Sequence, residues 1–179
     1  MKSVLIAIQP KWCELIAEGK KTVEVRKTKP KLDVPFKCYI YMTAGDASYP
    51  VTINGAPYTC HNNGGMVVIG EFICDEIYHI KNHGTRFSIN NDERLTNGVA
   101  RASCLYFEYM KNYLKDKNGY AWHITDLVIY DEPKELGEFK PYNRECKYSH
   151  LGYAIPECKY CHGCQVTRPP MSWMFIEGV

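Results

Sequence analysis

The sequence has no long apolar run. Nowhere does a hydrophobic stretch approach the ~18 residues that would cross a bilayer, so a membrane-spanning helix is not expected. It has no strong charge bias either, since a formal net charge of +2 says little by itself about partners. The opening stretch from Met1 to Pro10 is too short and too soon interrupted for a secretory signal. No shift in composition calls for a second domain: 179 residues are enough to bury one proper core, and a single domain over 1–179 is expected. A paired-cysteine framework is also missing. The nine cysteines are an odd number without an export signal, which points to a reducing cytoplasm with free thiols or a metal site.

What is present is an ordinary globular mixture, 45% hydrophobic and 23% charged. Residues 3–8 alternate and are rich in Val and Ile, as a strand requires, and Pro10 suits the first turn of a helix reaching Glu18, which Gly19 ends. Trp12, Leu15 and Ile16 recur at helical spacing and are expected in the core. Cys13 is expected to be an inert buried thiol. Lys37–Met42 and Met66–Cys74 predict strands, and Glu71 interrupts the second with a carboxylate that must be paired, protonated or functional. The polar stretch from Ala44 to Gly65 predicts a long loop with a hairpin around Val51–Gly55. Residues 97–115 predict the longest helix, Tyr120–Tyr130 a strand closed by Pro133, and Met171–Ile176 the last strand. His123, alone on its strand, is expected to be a hydrogen-bonded structural residue. Without a regular βαβ rhythm, these elements suggest an α+β fold with a mixed or antiparallel sheet curled into a small barrel.

The chemistry is concentrated in Gly19–Lys27. From Thr22 to Lys27 the residues alternate, so Val23 and Val25 point to one face and Thr22, Glu24 and Arg26 to the other. A carboxylate beside a guanidinium, with Lys21 at the strand's mouth, can bind an anion or polarise a substrate. Lys20, Lys21, Arg26, Lys27, Lys29 and Lys31 crowd twelve residues that contain one acid, a local positive patch of the kind that attracts phosphates. As a simple solvated cross-strand pair, Glu24 and Arg26 would have little energetic consequence.

Gly19, Lys21, Glu24 and Arg26 fit the G-x-K-x-x-E-x-R signature of ASCH domains, which are similar to the PUA fold. The stretches Leu5–Trp12 and Arg168–Trp173 add to the resemblance, and together they bracket nearly the whole chain. The resemblance implies a β-barrel flanked by two or more helices, with a cleft lined by the signature residues. It also brings three functional expectations. PUA relatives bind RNA, so a nucleic acid or nucleotide is expected in a basic cleft lined by Lys20, Lys21, Thr22, Glu24, Arg26, Trp122, Arg168 and Ser172. Some small ASCH members are amidohydrolases acting on an acetylated cytidine through Lys, Thr and Glu, and others resemble ribonucleases. Here the lysine falls on Lys21 and the threonine position holds Glu24; Glu71 is a choice by chemistry alone, so a hydrolase would use Lys21 with Glu24 or Glu71. Small ASCH proteins of phage and prophage are also similar, which implies a protein-binding adaptor as a further alternative.

A second region, 140–167, is a cysteine-rich insertion before the last strand. The tract E-C-K-Y-x-H occurs twice, and Cys146, Cys158, Cys161 and Cys164 supply four thiols within nineteen residues. That is enough for a tetrahedral structural Zn²⁺, with His150 or His162 able to replace one thiol. The triple spacing also begins an iron–sulfur pattern, but the fourth cysteine followed by proline is missing.

Overall fold

The computed structural model describes residues 2–44, 50–58, 66–115, 117–142 and 165–178. Two sheets form the body. The first takes the order β10-β6-β3-β1-β11, from strands β1 (Lys2–Ile8), β3 (Phe36–Met42), β6 (Val67–Cys74), β10 (Thr125–Glu135) and β11 (Trp173–Glu177). Only β1 and β3 run parallel in it. The second takes the order β2-β9-β7-β8, from β2 (Val23–Arg26), β7 (Ile77–Asn82), β8 (Phe87–Ile89) and β9 (Gly119–His123), all antiparallel. Strands β4 (Val51–Ile53) and β5 (Ala56–Tyr58) form a separate hairpin. Helices α1 (Pro10–Ala17), α2 (Glu93–Ala102) and α3 (Phe107–Leu114) complete the mixed α+β arrangement expected from the sequence.

Three apolar clusters explain why these segments fold as they do. Strand β1 is buried on both faces: Val4, Ile6 and Ile8 enter the main core, while Leu5 and Ala7 enter a second one with Tyr39 and Phe139. The main core takes in Cys13 and Ile16 of α1 and Trp122 of β9, and so joins the two sheets and the helix. The third packs Val23 and Val25 of β2 against Val99 of α2 and Met110 and Leu114 of α3. The chain passes from one sheet to the other at Ile124, whose N–H donates to the carbonyl oxygen of Thr22.

Several boundaries differ from the expectations. The single helix over 97–115 is two helices, because Ser103 caps α2 and Cys104 takes a left-handed φ of 55°. The Ser103 hydroxyl donates to the Ala100 carbonyl oxygen and accepts from the Leu105 N–H, which fixes the break. The strand Tyr120–Tyr130 is likewise divided at Ile124. Pro133 does not close it; β10 continues to Glu135 as an edge strand whose register shifts between Ile129 and Lys134, a place where a missing N–H is tolerated. The hairpin lies where expected, with Asn54 and Gly55 both at positive φ, as a two-residue turn of this hand requires.

Candidate functional site

Strand β2 sorts its side chains as the alternation predicts. Val23 and Val25 enter the third core, and Glu24 and Arg26 emerge on the opposite face beneath α1. Just ahead of the strand, Lys21 turns to meet them. One Glu24 carboxylate oxygen lies 3.2 Å from Lys21 Nζ, and the other 3.1 Å from Arg26 Nη2. All three are nearly excluded from water, at 2%, 6% and 6% exposure for Lys21, Glu24 and Arg26. Burial on this scale removes the weak surface ion pair from consideration, because charges taken out of water persist only when paired and hydrogen-bonded. Lys21 Nζ also donates to the Ser103 carbonyl oxygen at 2.7 Å, and Arg26 Nη2 to the Ala7 carbonyl oxygen at 2.6 Å. Arg26 Nε is buried with no acceptor among the described residues.

These three residues floor a cleft of about 820 Å³, at the upper end of the size of small-molecule sites. Its walls come from α1 with Lys11 and Trp12, from α3 with Tyr109 and Tyr113, and from the segment before β11 with Met171 and Ser172. Among the described residues, four cationic side chains, Lys11, Lys21, Arg26 and Lys27, line it with one carboxylate, that of Glu24. Ala7 ties the walls together, since its N–H donates to the Ser172 carbonyl oxygen while its own carbonyl holds Arg26. Beside the cleft, Trp173 Nε1 donates to Thr28 Oγ1 at 3.1 Å. The arrangement can accept an anion or a carbonyl oxygen at its floor and stack planar groups against its aromatic walls.

The remaining expected site residues divide. Ser172 lines the cleft with Lys21, Glu24 and Arg26. Lys20 does not; it is exposed and paired with Glu18 at 2.9 Å. Thr22 is held by its backbone, donating to Ala102 and accepting from Ile124, and is not part of the lining. Arg168 is exposed and also outside the lining. Trp122 is fully buried against Phe36 and Trp173, so it belongs to the core and offers no stacking face. Glu71 shares a face with its register partner Tyr39, in the second core and away from the cleft. There it accepts from Lys37 Nζ and from the Tyr130 hydroxyl, both at 2.7 Å, which accounts for a carboxylate in a central strand without a catalytic role beside Lys21.

Cys13 is buried and its thiol is pushed well up by that burial, as an inert core thiol should be. His123 Nδ1 meets Asp75 Oδ1 at 2.7 Å, the structural bond expected of it. Cys146, Cys158, Cys161 and Cys164, with His150 and His162, lie outside the described residues. Among the described residues, no group of His, Cys, Asp and Glu is arranged to hold a metal ion, and no helix is long and apolar enough to cross a membrane. The cleft-lining residues that sequence reasoning underrated are Lys11, Tyr109 and Tyr113. The four-residue spacing of the two tyrosines was the available signal.

A family model described as the ASCH domain matches residues 6–54, the stretch that holds β1, α1, β2 and β3. Among solved structures, the chain is similar to the ASCH protein of Zymomonas mobilis, with a TM-score of 0.57 at 18% identity over 98% of this chain and 87% of that one. A Tyr-to-Phe variant of the same protein matches with a TM-score of 0.57 at 17% identity, covering 99% of this chain and 91% of that one. A Ser-to-Ala variant matches with 0.58 at 16%, covering 98% and 88%. No curated protein sequence matches. The chain therefore has the fold of that ASCH protein, and its signature strand lies within the stretch that the family model matches.

Proposed function

We propose that this ASCH-type protein binds single-stranded nucleic acid, RNA in the first place, by taking one nucleotide into the cleft above Lys21, Glu24 and Arg26. The observation that carries the reading is the buried network at the cleft floor. Glu24 holds two cations in fixed positions where little water competes, so a phosphate or base carbonyl entering the cleft meets preorganised donors. Trp12, Tyr109 and Tyr113 supply faces for a base, and Lys11 and Lys27 supply phosphate partners. The free thiols of Cys13, Cys38, Cys74 and Cys104 accord with a cytoplasmic setting.

The test is binding of labelled single-stranded RNA and DNA at two salt concentrations. Lys11→Ala and Lys27→Ala are each expected to weaken binding across sequences and to reduce the salt slope by about one. Absence of salt-sensitive binding by the intact protein would overturn the reading and turn attention to a protein partner.

A second reading is hydrolysis of a modified nucleoside or of RNA. What favours it is the 3.2 Å contact between Lys21 and Glu24, an acid–base pair within reach of whatever enters the cleft. Product analysis of the same oligonucleotides, and of an acylated cytidine, separates turnover from binding.

A further inference from the structure

We propose that the ligand is a strand of several nucleotides, with one nucleotide in the cleft, its neighbour stacked on Tyr109 with the linking phosphate at Lys11, and the next base at Tyr106. This rests on the nucleic-acid reading above.

Helix α3 buries Met110 and Leu114 and turns aromatic rings outward: Tyr106, Tyr109 and Tyr113 are 80%, 58% and 37% exposed. Tyr109 and Tyr113 are four residues apart on one helix face and both line the cleft, while Tyr106 lies beyond it at the helix's N-terminal end. Cations stand beside two of these rings and beside Trp12. Lys11 Nζ stands 4.4 Å from the Trp12 ring centre and 5.6 Å from that of Tyr109, and Lys27 Nζ stands 5.0 Å from that of Tyr113.

Among the described residues, neither lysine is ion-paired with a carboxylate, unlike Lys20 with Glu18 or Lys37 with Glu71. An exposed ammonium over a ring is held weakly and is free to take a phosphate. A lone nucleotide needs one ring and one cation, whereas a row of rings with more than one cation beside it matches the bases and phosphates of a single strand. A duplex keeps its bases stacked on each other and cannot use the rings.

The experiment is calorimetric titration with adenosine 5′-monophosphate and with oligoadenylates of two, three and four nucleotides. Affinity is expected to rise about tenfold or more from the monophosphate to the trinucleotide and then level off. Tyr106→Ala should remove part of that gain while leaving monophosphate binding within about twofold, and Tyr106→Phe should keep it. Monophosphate binding with no gain from length would overturn the proposal, leave the cleft reading standing, and mark the tyrosine stripe as a surface for another protein. A gain that survives Tyr106→Ala would overturn it as well. If no member of the series binds, the cleft reading fails too.

Discussion

Lys21 Nζ is bonded at 2.7 Å to the carbonyl oxygen of Ser103, a residue eighty-two positions further along the chain. The same carbonyl lies at the break between α2 and α3, so the break and the cleft floor are one structure. The helical pattern over 97–115 is interrupted where a buried ammonium needs an acceptor.

That network has an unequal charge balance, with two cations around one carboxylate. Glu24→Gln leaves Lys21 and Arg26 buried without compensation and is expected to cost about 3–5 kcal/mol of stability. Lys21→Met leaves Glu24 still paired with Arg26 and should cost less. Urea unfolding of the two variants checks the order; equal losses would show that the glutamate is not what holds the cations.

Tryptophan fluorescence separates the cleft from the core. Trp12 lines the cleft, while Trp122 is sealed beneath it with its Nε1 unpartnered among the described residues. Quenching on addition of a nucleotide should vanish in Trp12→Phe and persist in Trp122→Phe. Loss of quenching in the second variant alone would contradict the assignment of Trp122 to the core.

Acid stability should be traceable to Glu71. Burial alone would raise its carboxyl, but the bonds from Lys37 and Tyr130 outweigh this and hold it below the usual range. Its contribution is therefore fully present above the unfolded value and is lost as pH falls through the lower folded value, which places the change below about pH 5. Lys37 is raised by the same contact, so its share is complete below its ordinary value and declines at high alkalinity. Urea midpoints measured from pH 7 to pH 3 should fall less steeply in Glu71→Gln than in the parent protein.

The thiols at Cys146, Cys158, Cys161 and Cys164 lead to an expected content of about one zinc per chain. Elemental analysis of protein purified without a polyhistidine tag measures it directly. Chelation should lower the unfolding temperature, since a structural metal contributes its binding free energy to the fold. A metal-free preparation with an unchanged transition would count against the assignment.

The signature strand was legible because alternation in Val23–Arg26 and the cationic residues around it are local signals. So were β1, α1 and the Asn54–Gly55 turn, each marked by its own residues. Glu71 and Trp122 were misplaced for the opposite reason. A strand pattern tells which residues share a face but not what lies across that face, and Glu71 faces Lys37 and Tyr130 while Trp122 faces Phe36. Strands β7 and β8 passed unread because Ile77–Asn82 and Phe87–Ile89 are short and half-polar, and owe their order to pairing with β9 and each other. The cleft's far wall was hidden in the same way, since nothing near Tyr109 announces that Lys11 will stand beside it.

Ala7, bonded on one side to Arg26 and on the other to Ser172, gives the site an order of assembly. A nascent chain made only as far as α3 already contains every charged group of the cleft but not the segment that braces β1 from its open edge. Until Ser172 arrives, Lys21, Glu24 and Arg26 stand on an incomplete sheet. The cleft is therefore complete only once the strand that follows Ser172 has paired with β1, and truncations that spare the whole signature but remove that strand should still disrupt it.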